Sequence, residues 1–319
     1  MIRFDRLTNV QRGVLLALAT AVISGISIFV NGFAVKQLPD AAVFTTLKNG
    51  VAALVLAGLA FATVGGAGIR RLDRRSWGGL GLVAVIGGSV PFLLFFGGLA
   101  AASAPSAAFI HKTMFVWVAL LAVPFLGERL GFAQVAALAV LGLGQVLVAP
   151  PTGVQWGLGE TMIAAATLLW AVEVVVARHL LLGRIEPAVL GAGRLGLGLL
   201  ILVGFLVVTG KLASVAALTP VQWAWALGTG ALLAGYVATW FAALRRAPAS
   251  LVTAVLVVGA PITAALTTLA NGTLPAPAAL VGDGLILMAV AAIATLSLRR
   301  LQPAGAAPGA GVVGAPPIG

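Results

Sequence analysis

The chain has 319 residues, of which 61% are hydrophobic and 8% charged, with 19 Lys/Arg against 8 Asp/Glu and a formal net charge of +11. An ordinary soluble domain is about 45–50% apolar and about 25% charged, so this composition excludes a soluble enzyme and a disordered protein. It also excludes a nucleic-acid-binding domain, because the basic residues lie thinly between apolar runs and form no single face. There is no Cys, which removes disulfides, thiolate metal sites and Cys nucleophiles. The composition is that of an integral membrane protein, whose lipid solvent admits only helices or closed barrels. Barrel strands alternate apolar and polar in short segments. The segments here are apolar all round for roughly 18–25 residues, so they are helices.

Ten such segments follow in chain order, at about 13–35, 41–64, 78–101, 106–125, 132–149, 157–181, 188–209, 222–243, 249–270 and 278–298. Each is close to the ~20 residues that cross ~30 Å of hydrocarbon. Pro91, Pro124 and Pro261 fall inside segments and predict kinks rather than breaks. The connections are short, so consecutive segments form hairpins with no soluble domain between them. Arg3, Arg6 and Arg12 precede an apolar stretch too long for a signal peptide, which makes residues 1–12 an expected cytoplasmic N-terminus. Residues 299–319 end in a Pro/Gly/Ala-rich stretch and are expected to be a disordered cytoplasmic tail.

Orientation follows from the basic residues. With the N-terminus inside, fourteen fall in inner segments: Arg3, Arg6, Arg12, Arg70, Arg71, Arg74, Arg75, Arg129, Arg178, Arg184, Arg245, Arg246, Arg299 and Arg300. Only Lys36 and Lys211 fall outside, while Lys48, Lys112 and Arg194 lie within spans. This bias predicts a multi-pass protein of the cytoplasmic membrane with both termini cytoplasmic. It also explains most of the positive charge as a topology signal.

The chain repeats itself weakly. A shift of 146 residues lays Phe44–Leu56 over Leu190–Leu202, so that Lys48 meets Arg194, and Ser24 falls on Trp170. A shift of 144 lays Ala104-Pro105-Ser106 over Pro248-Ala249-Ser250, and Leu126–Leu130 over Ala270–Leu274. The halves are 13–149 and 157–298, joined by a linker at 150–156. Five spans per half is an odd number, so the second half enters the membrane in the opposite sense. The predicted fold is all-α and integral to the membrane, with ten transmembrane helices as two inverted five-helix repeats, an arrangement common among secondary transporters.

Ten spans in two halves, Leu126-Gly127-Glu128-Arg129-Leu130 at the end of span four, and Trp170 in span six resemble the EamA family of the drug/metabolite transporter superfamily. The resemblance covers roughly residues 14–298. In that family the Gly-Glu-Arg motif closes the fourth span of a repeat. Here the second half has Asn271-Gly272-Thr273 instead, and the first has Ser24 where the second has Trp170. The resemblance implies export or exchange of small metabolites, amino acids or drugs.

Ionisable groups within spans are costly and should face the bundle interior. They are Lys48, His111, Lys112, Glu173, Arg194 and, near an outer end, Asp283. Glu173 and Arg194 each lie about ten residues from the turn between spans six and seven, at equal depth by the helical rise. Two readings stand side by side: a buried ion pair that holds two helices in register, or a cavity pair that exchanges partners with substrate or proton. The basic groups outnumber the acids, so Lys48, Lys112 and Arg194 either attract an anionic substrate group or snorkel and pair with Asp283 or helix carbonyls. His111 is a proton relay or a packing residue. Most in-span aromatics should face lipid or sit in an interfacial belt. Trp170 and Trp240 lie deeper than an interfacial belt, and Tyr236 lies one turn before Trp240 on its face. Asn31, Ser27 and Ser24 share a face of span one and offer polar groups to a ligand or to a neighbouring helix.

The expected substrate-binding set is therefore Lys48, Lys112, Arg194, Trp170, Tyr236, Trp240 and Asn31, with Glu173 and His111 for proton coupling. No catalytic residue, metal site or cofactor is expected, since two His and few acids form no ligand cluster. The expected partners are a small-molecule substrate and the lipid bilayer, with no nucleic acid, and a homodimer is compatible with the sequence. An integral-membrane enzyme would need paired acids or metal ligands that are missing; a helical scaffold that transports nothing is the other alternative.

Overall fold

The computed structural model describes residues 7–99, 101–102, 104–150, 156–183 and 185–301. The expected disorder of the tail concerns mainly residues 302–319, which lie outside the described residues, as do residues 1–6 and most of the linker, 151–155. The regular elements described are all helices. They are α1 (Asn9–Gln37), α2 (Ala41–Arg70), α3 (Arg74–Val83), a π-helical turn (Ala84–Ser89), α4 (Val90–Leu99), α5 (Ala104–Lys112), α6 (Met114–Leu126) and α7 (Phe132–Val148). The second half contains α8 (Leu158–Leu182), α9 (Pro187–Val208), α10 (Ala213–Ala216), α11 (Pro220–Arg246), α12 (Ala249–Leu256), α13 (Gly259–Asn271) and α14 (Pro277–Leu301).

Nine helical stretches among the described residues are long and apolar enough to cross a membrane. The expected fifth span, α7, has 17 residues and reaches only about 25 Å at 1.5 Å per residue. Helix ends fall where capping chemistry puts them. Thr8 and Gln11 form a capping box that starts α1 four residues before the expected 13. Thr219 and Gln222 do the same for α11. At the far end, α14 continues past the expected 298 to Leu301.

Polar and proline chemistry interrupts the spans in matching places. Pro261 has no N–H and crowds the carbonyl of Val257, and the helix breaks between α12 and α13 at Val257–Val258. In the first half the break between α5 and α6 falls at Thr113, whose hydroxyl donates to the carbonyl of Ile110 at 2.7 Å. Thr113 and Val258 are 145 residues apart. So are the starts of α5 and α12 (Ala104, Ala249), the starts of α7 and α14 (Phe132, Pro277), and the left-handed glycines Gly127 (φ 66°) and Gly272 (φ 68°) that end α6 and α13. The register is thus one residue longer than the 144 read from the sequence. Pro124, by contrast, sits in the last turn of α6 and breaks nothing.

The halves do not stand apart as two bundles. α1 packs along α11, α2 along α9, α4 along α8 and α7 along α14, each pair joining one half to the other. Small residues permit the approach. A methyl group on Gly25, Gly98 or Gly144 would lie 2.7–2.9 Å from the carbonyl oxygen of Gly259, Gly159 or Gly282 respectively. Without a hydrophobic drive between helices in lipid, such close backbone packing is a main source of association.

Candidate functional site

The site begins with a backbone defect. Gly87-Gly88-Ser89-Val90-Pro91 lies in span three. Pro91 offers no N–H to the carbonyl of Gly87 four residues earlier. The turn before it widens into a π-helix, in which the Val90 N–H bonds to the carbonyl of Val85 and the Ser89 hydroxyl donates to the carbonyl of Ala84 at 2.9 Å. The carbonyl of Gly87 finds its donor on another helix: the Trp170 indole Nε1 on α8, at 3.1 Å. Trp170 and Gly87 are both buried.

One turn along α8, Glu173 meets Arg194 of α9 with Oε1 and Nε 3.3 Å apart. Both side chains are buried, and neither of these two atoms makes a well-aligned hydrogen bond, so the contact is Coulombic. Gly87 and Gly88 make room for the pair. A methyl on Gly87 would collide with the Glu173 side chain, and one on Gly88 with the backbone carbonyl of Arg194. The Arg194 guanidinium lies 5.9 Å from the Phe92 ring centroid, within cation–π range. Tyr236 of α11 lies within electrostatic reach of both Arg194 and Glu173 and stacks on Trp240 at 6.0 Å.

An aromatic wall joins this pair to α5. Trp170 meets Phe92 edge-on at 5.3 Å and His111 at 5.1 Å, and Phe95 lies 5.1 Å from His111 and 5.6 Å from Trp170. Phe92 and Phe95 therefore face α5 and α8, two aromatics that the sequence did not single out; the π turn and Pro91 set them against α8. His111 packs within this wall, and its Nδ1 has no partner. The adjacent Lys112 points elsewhere and shares an electrostatic interaction with Asp283 of α14, whose Oδ1 is buried without a hydrogen-bond partner.

Lys48 lies apart from this group. Its Nζ sits 5.1 Å from the Phe44 centroid on its own helix, it is only 6% exposed, and no acid pairs with it among the described residues. Beside it, both polar atoms of Asn49 and the hydroxyl of Thr45 are buried without partners. Asn31 donates to Ser27 at 3.2 Å and leaves its own Oδ1 unpartnered. Gln145, on α7, also has both amide atoms unpartnered. Sequence reasoning missed Gly87, Gly88, Asn49 and Gln145. The Gly-Gly-Ser-x-Pro run was a usable signal for the first two; a lone amide in a span is the signal for the others. No group of His, Cys, Asp and Glu among the described residues is arranged to hold a metal.

Polar links tie the two ends. Glu128 of the Gly-Glu-Arg motif accepts from the Ala249 and Ser250 N–H groups and the Ser250 hydroxyl, capping α12 across the halves. Arg178 donates to the carbonyl of Leu244 and interacts with Glu128, and Arg245 pairs with Glu186. At the opposite end, Lys211 pairs with Asp40 at 2.8 Å. Partial burial raises the pKa of the Asp40 carboxyl, but the Lys211 ammonium and the Ala42 N–H outweigh it, and the value lies below the ordinary one. Two apolar grooves, of about 400 and 370 Å³, open on the surface, and neither is lined by any of these polar residues.

Among known proteins, a sequence profile of the EamA-like transporter family matches residues 11–149 and again 157–295. No curated protein matches the chain. A solved structure, described only as a crystal structure of a protein, superposes with a TM-score of 0.75 at 17% identity, over 91% of this chain and 98% of that one. At that identity the likeness is one of fold. With both halves matched by the family, the chain belongs to the EamA-like transporters of the drug/metabolite transporter superfamily, and it is a multi-pass membrane protein.

Proposed function

We propose that this protein is a secondary transporter that moves a small metabolite with an anionic end across the cytoplasmic membrane by alternating access. The reading takes α7 as the fifth of ten spans, the two halves as an inverted repeat, and both termini as cytoplasmic. The observation that carries it is the matched interruption of two spans, at Thr113 and Val258, at the same register in each half. Discontinuous helices at corresponding positions mark binding sites in transporters, because unwound backbone and helix ends present polar groups at mid-membrane depth.

In this reading Arg194, Lys48 and Lys112 attract the anionic group, and Trp170, Tyr236 and Trp240 hold the apolar part, with Asn31 adding an amide. Glu173 is the coupling acid and His111 its relay. The buried polar atoms of Thr45, Asn49, Gln145 and Asp283 that lack partners support it, since an unsatisfied buried group costs about 1–3 kcal/mol and persists where a ligand or water serves it. The ends tied by Glu128 and by Asp40–Lys211 would then break and reform in turn.

Counterflow of labelled amino acids and organic anions into proteoliposomes is the test. Lys112→Ala and Glu173→Gln are expected to abolish counterflow while leaving a monodisperse, helical protein. Normal counterflow in both variants would overturn these roles. Saturable product formation without vesicles would favour an integral-membrane enzyme instead.

A further inference from the structure

Helix α2 breaks near the arginine-rich face of the molecule. Gly65 takes φ 71°, ψ 165°, a conformation that L side chains rarely adopt, and a last turn then carries the chain to Arg70. Asp73 restarts the helix by accepting from the Ser76 N–H at 2.8 Å. Arg70, Arg71, Arg74 and Arg75 are all exposed around this turn, and Asp73 is the only acid among residues 65–77. Beside the turn, α2, α3 and α9 enclose the groove of about 370 Å³. Phe61, Ile69, Trp77 and Leu80 form its walls, and Gly193 and Gly196 line its α9 side. A methyl group on Gly196 would meet nothing within 4 Å, so that side of the groove stands open.

The groove has one polar end. From Pro187, where α9 begins, Gly196 lies nine residues in, about 13 Å along the helix. The groove thus runs along an apolar lining that includes Ile69 and Trp77, and the turn between these two residues carries the four exposed arginines. Among the side chains that line it, only Trp77 offers a metabolite a hydrogen-bonding group. A zwitterionic lipid offers the same phosphate but no net negative charge, so it gains less from the arginines. We propose that this groove is a binding site for an anionic phospholipid, with one acyl chain lying against Gly193 and Gly196 and the phosphate held by the Arg70–Arg75 cluster. Planar guanidinium groups bind phosphate through paired N–H donors, and clustered basic residues at a helix end are attracted to anionic headgroups. The other groove, lined by Val30, Trp225 and Gly228, has no such cluster; its nearest cations along the chain are Lys36 and Lys211, and Lys211 is held by Asp40. It serves as the control.

Native mass spectrometry of the full chain, exchanged from detergent into phosphatidylglycerol or phosphatidylcholine with identical chains, tests the proposal. Wild type is expected to retain phosphatidylglycerol as a discrete adduct in preference to phosphatidylcholine. Gly196→Leu, which fills the groove, is expected to lower that adduct at least tenfold, while Gly228→Leu in the other groove leaves it unchanged. Arg74→Gln/Arg75→Gln is expected to remove the headgroup preference by roughly tenfold or more, and it decides the matter if Gly196→Leu fails to fold. Equal retention of both lipids by wild type, or full retention by Gly196→Leu, would overturn the site. So would a change from dimer to monomer in Gly196→Leu with lipid adducts intact, which would make the groove a subunit contact. None of these outcomes depends on transport.

Discussion

Trp170→Phe isolates the hydrogen bond that serves the proline-opened turn. The substitution keeps an aromatic ring against Phe92 and Phe95 but removes the indole N–H that reaches the carbonyl of Gly87 at 3.1 Å. A buried acceptor left without a donor costs about 1–3 kcal/mol. The smaller ring also loses packing, and that loss is unrelated to Pro91. A double-mutant cycle separates the two. Pro91→Ala restores a backbone N–H four residues after Gly87, giving the carbonyl a donor of its own. Trp170→Phe in that background should then lose the packing alone. The expected coupling is about 1 kcal/mol or more, read from equilibrium unfolding in mixed micelles for the wild type, both single variants and the double. Pairs without physical contact add to within about 0.5 kcal/mol. Additivity at that level would refute the claim that the indole replaces the N–H missing at Pro91.

Three further outcomes follow from the same geometry. Gly88→Ala places a methyl on the carbonyl of Arg194 and should sharply lower the yield of folded protein, whereas Gly196→Ala, which faces open space, should leave the melting temperature within a degree or two of wild type; equal behaviour of the two would contradict the packing. Glu128→Ala removes a cap on α12 worth about 0.5–2 kcal/mol, so hydrogen exchange should speed at residues 249–252 with little change in α14, and uniform exchange across both would argue against a local cap. The depressed pKa of Asp40 means that its pairing stabilises the fold above the ordinary carboxyl pKa of about 3.9, and that this contribution is lost as pH falls through the lower folded value. In ¹³C NMR, Lys211→Gln should raise the Asp40 midpoint, and an unmoved midpoint would show that the ammonium does not set it.

Much of the fold was legible because the signals are local. The all-helical membrane character and the two halves follow from hydropathy within short windows, and capping pairs such as Thr8 with Gln11 or Thr219 with Gln222 are local too, although hydropathy alone set the start of α1 four residues late. The Glu173–Arg194 contact was also legible, since two charges at equal depth in one hairpin have few other partners in lipid. What escaped is non-local. Nothing in the sequence near Gly87 says that its donor comes from residue 170, and nothing near Glu128 says that its carboxylate closes a helix start 121 residues away. The turn of Phe92 and Phe95 toward α5 and α8 has the same origin, because a π turn adds a residue to the helical repeat and rotates everything after it. Hydropathy cannot see that rotation, since every residue involved is apolar or small.

The same physics accounts for the glutamate at 128, a position beside the glycine that ends the fourth span of the first half; the second half ends that span in Asn271-Gly272-Thr273. Each of these spans closes on a left-handed glycine, so glycine serves the backbone in both. The carboxylate serves a different need. At α12 the break at Val257–Val258 leaves an eight-residue helix, too short to be stable by propagation alone. Its first N–H groups need an acceptor, and Pro248 at the N-cap has no side-chain oxygen to offer. Glu128 supplies two carboxylate oxygens from the other half, with negative charge at the positive end of the helix. A substitution that gave α12 its own cap, Pro248→Ser, should therefore soften the loss in Glu128→Ala by about 1 kcal/mol, whereas the same substitution in the wild type should gain little because the donors are already served. Equal gains in both backgrounds would mean that Glu128 acts on something other than the start of this helix.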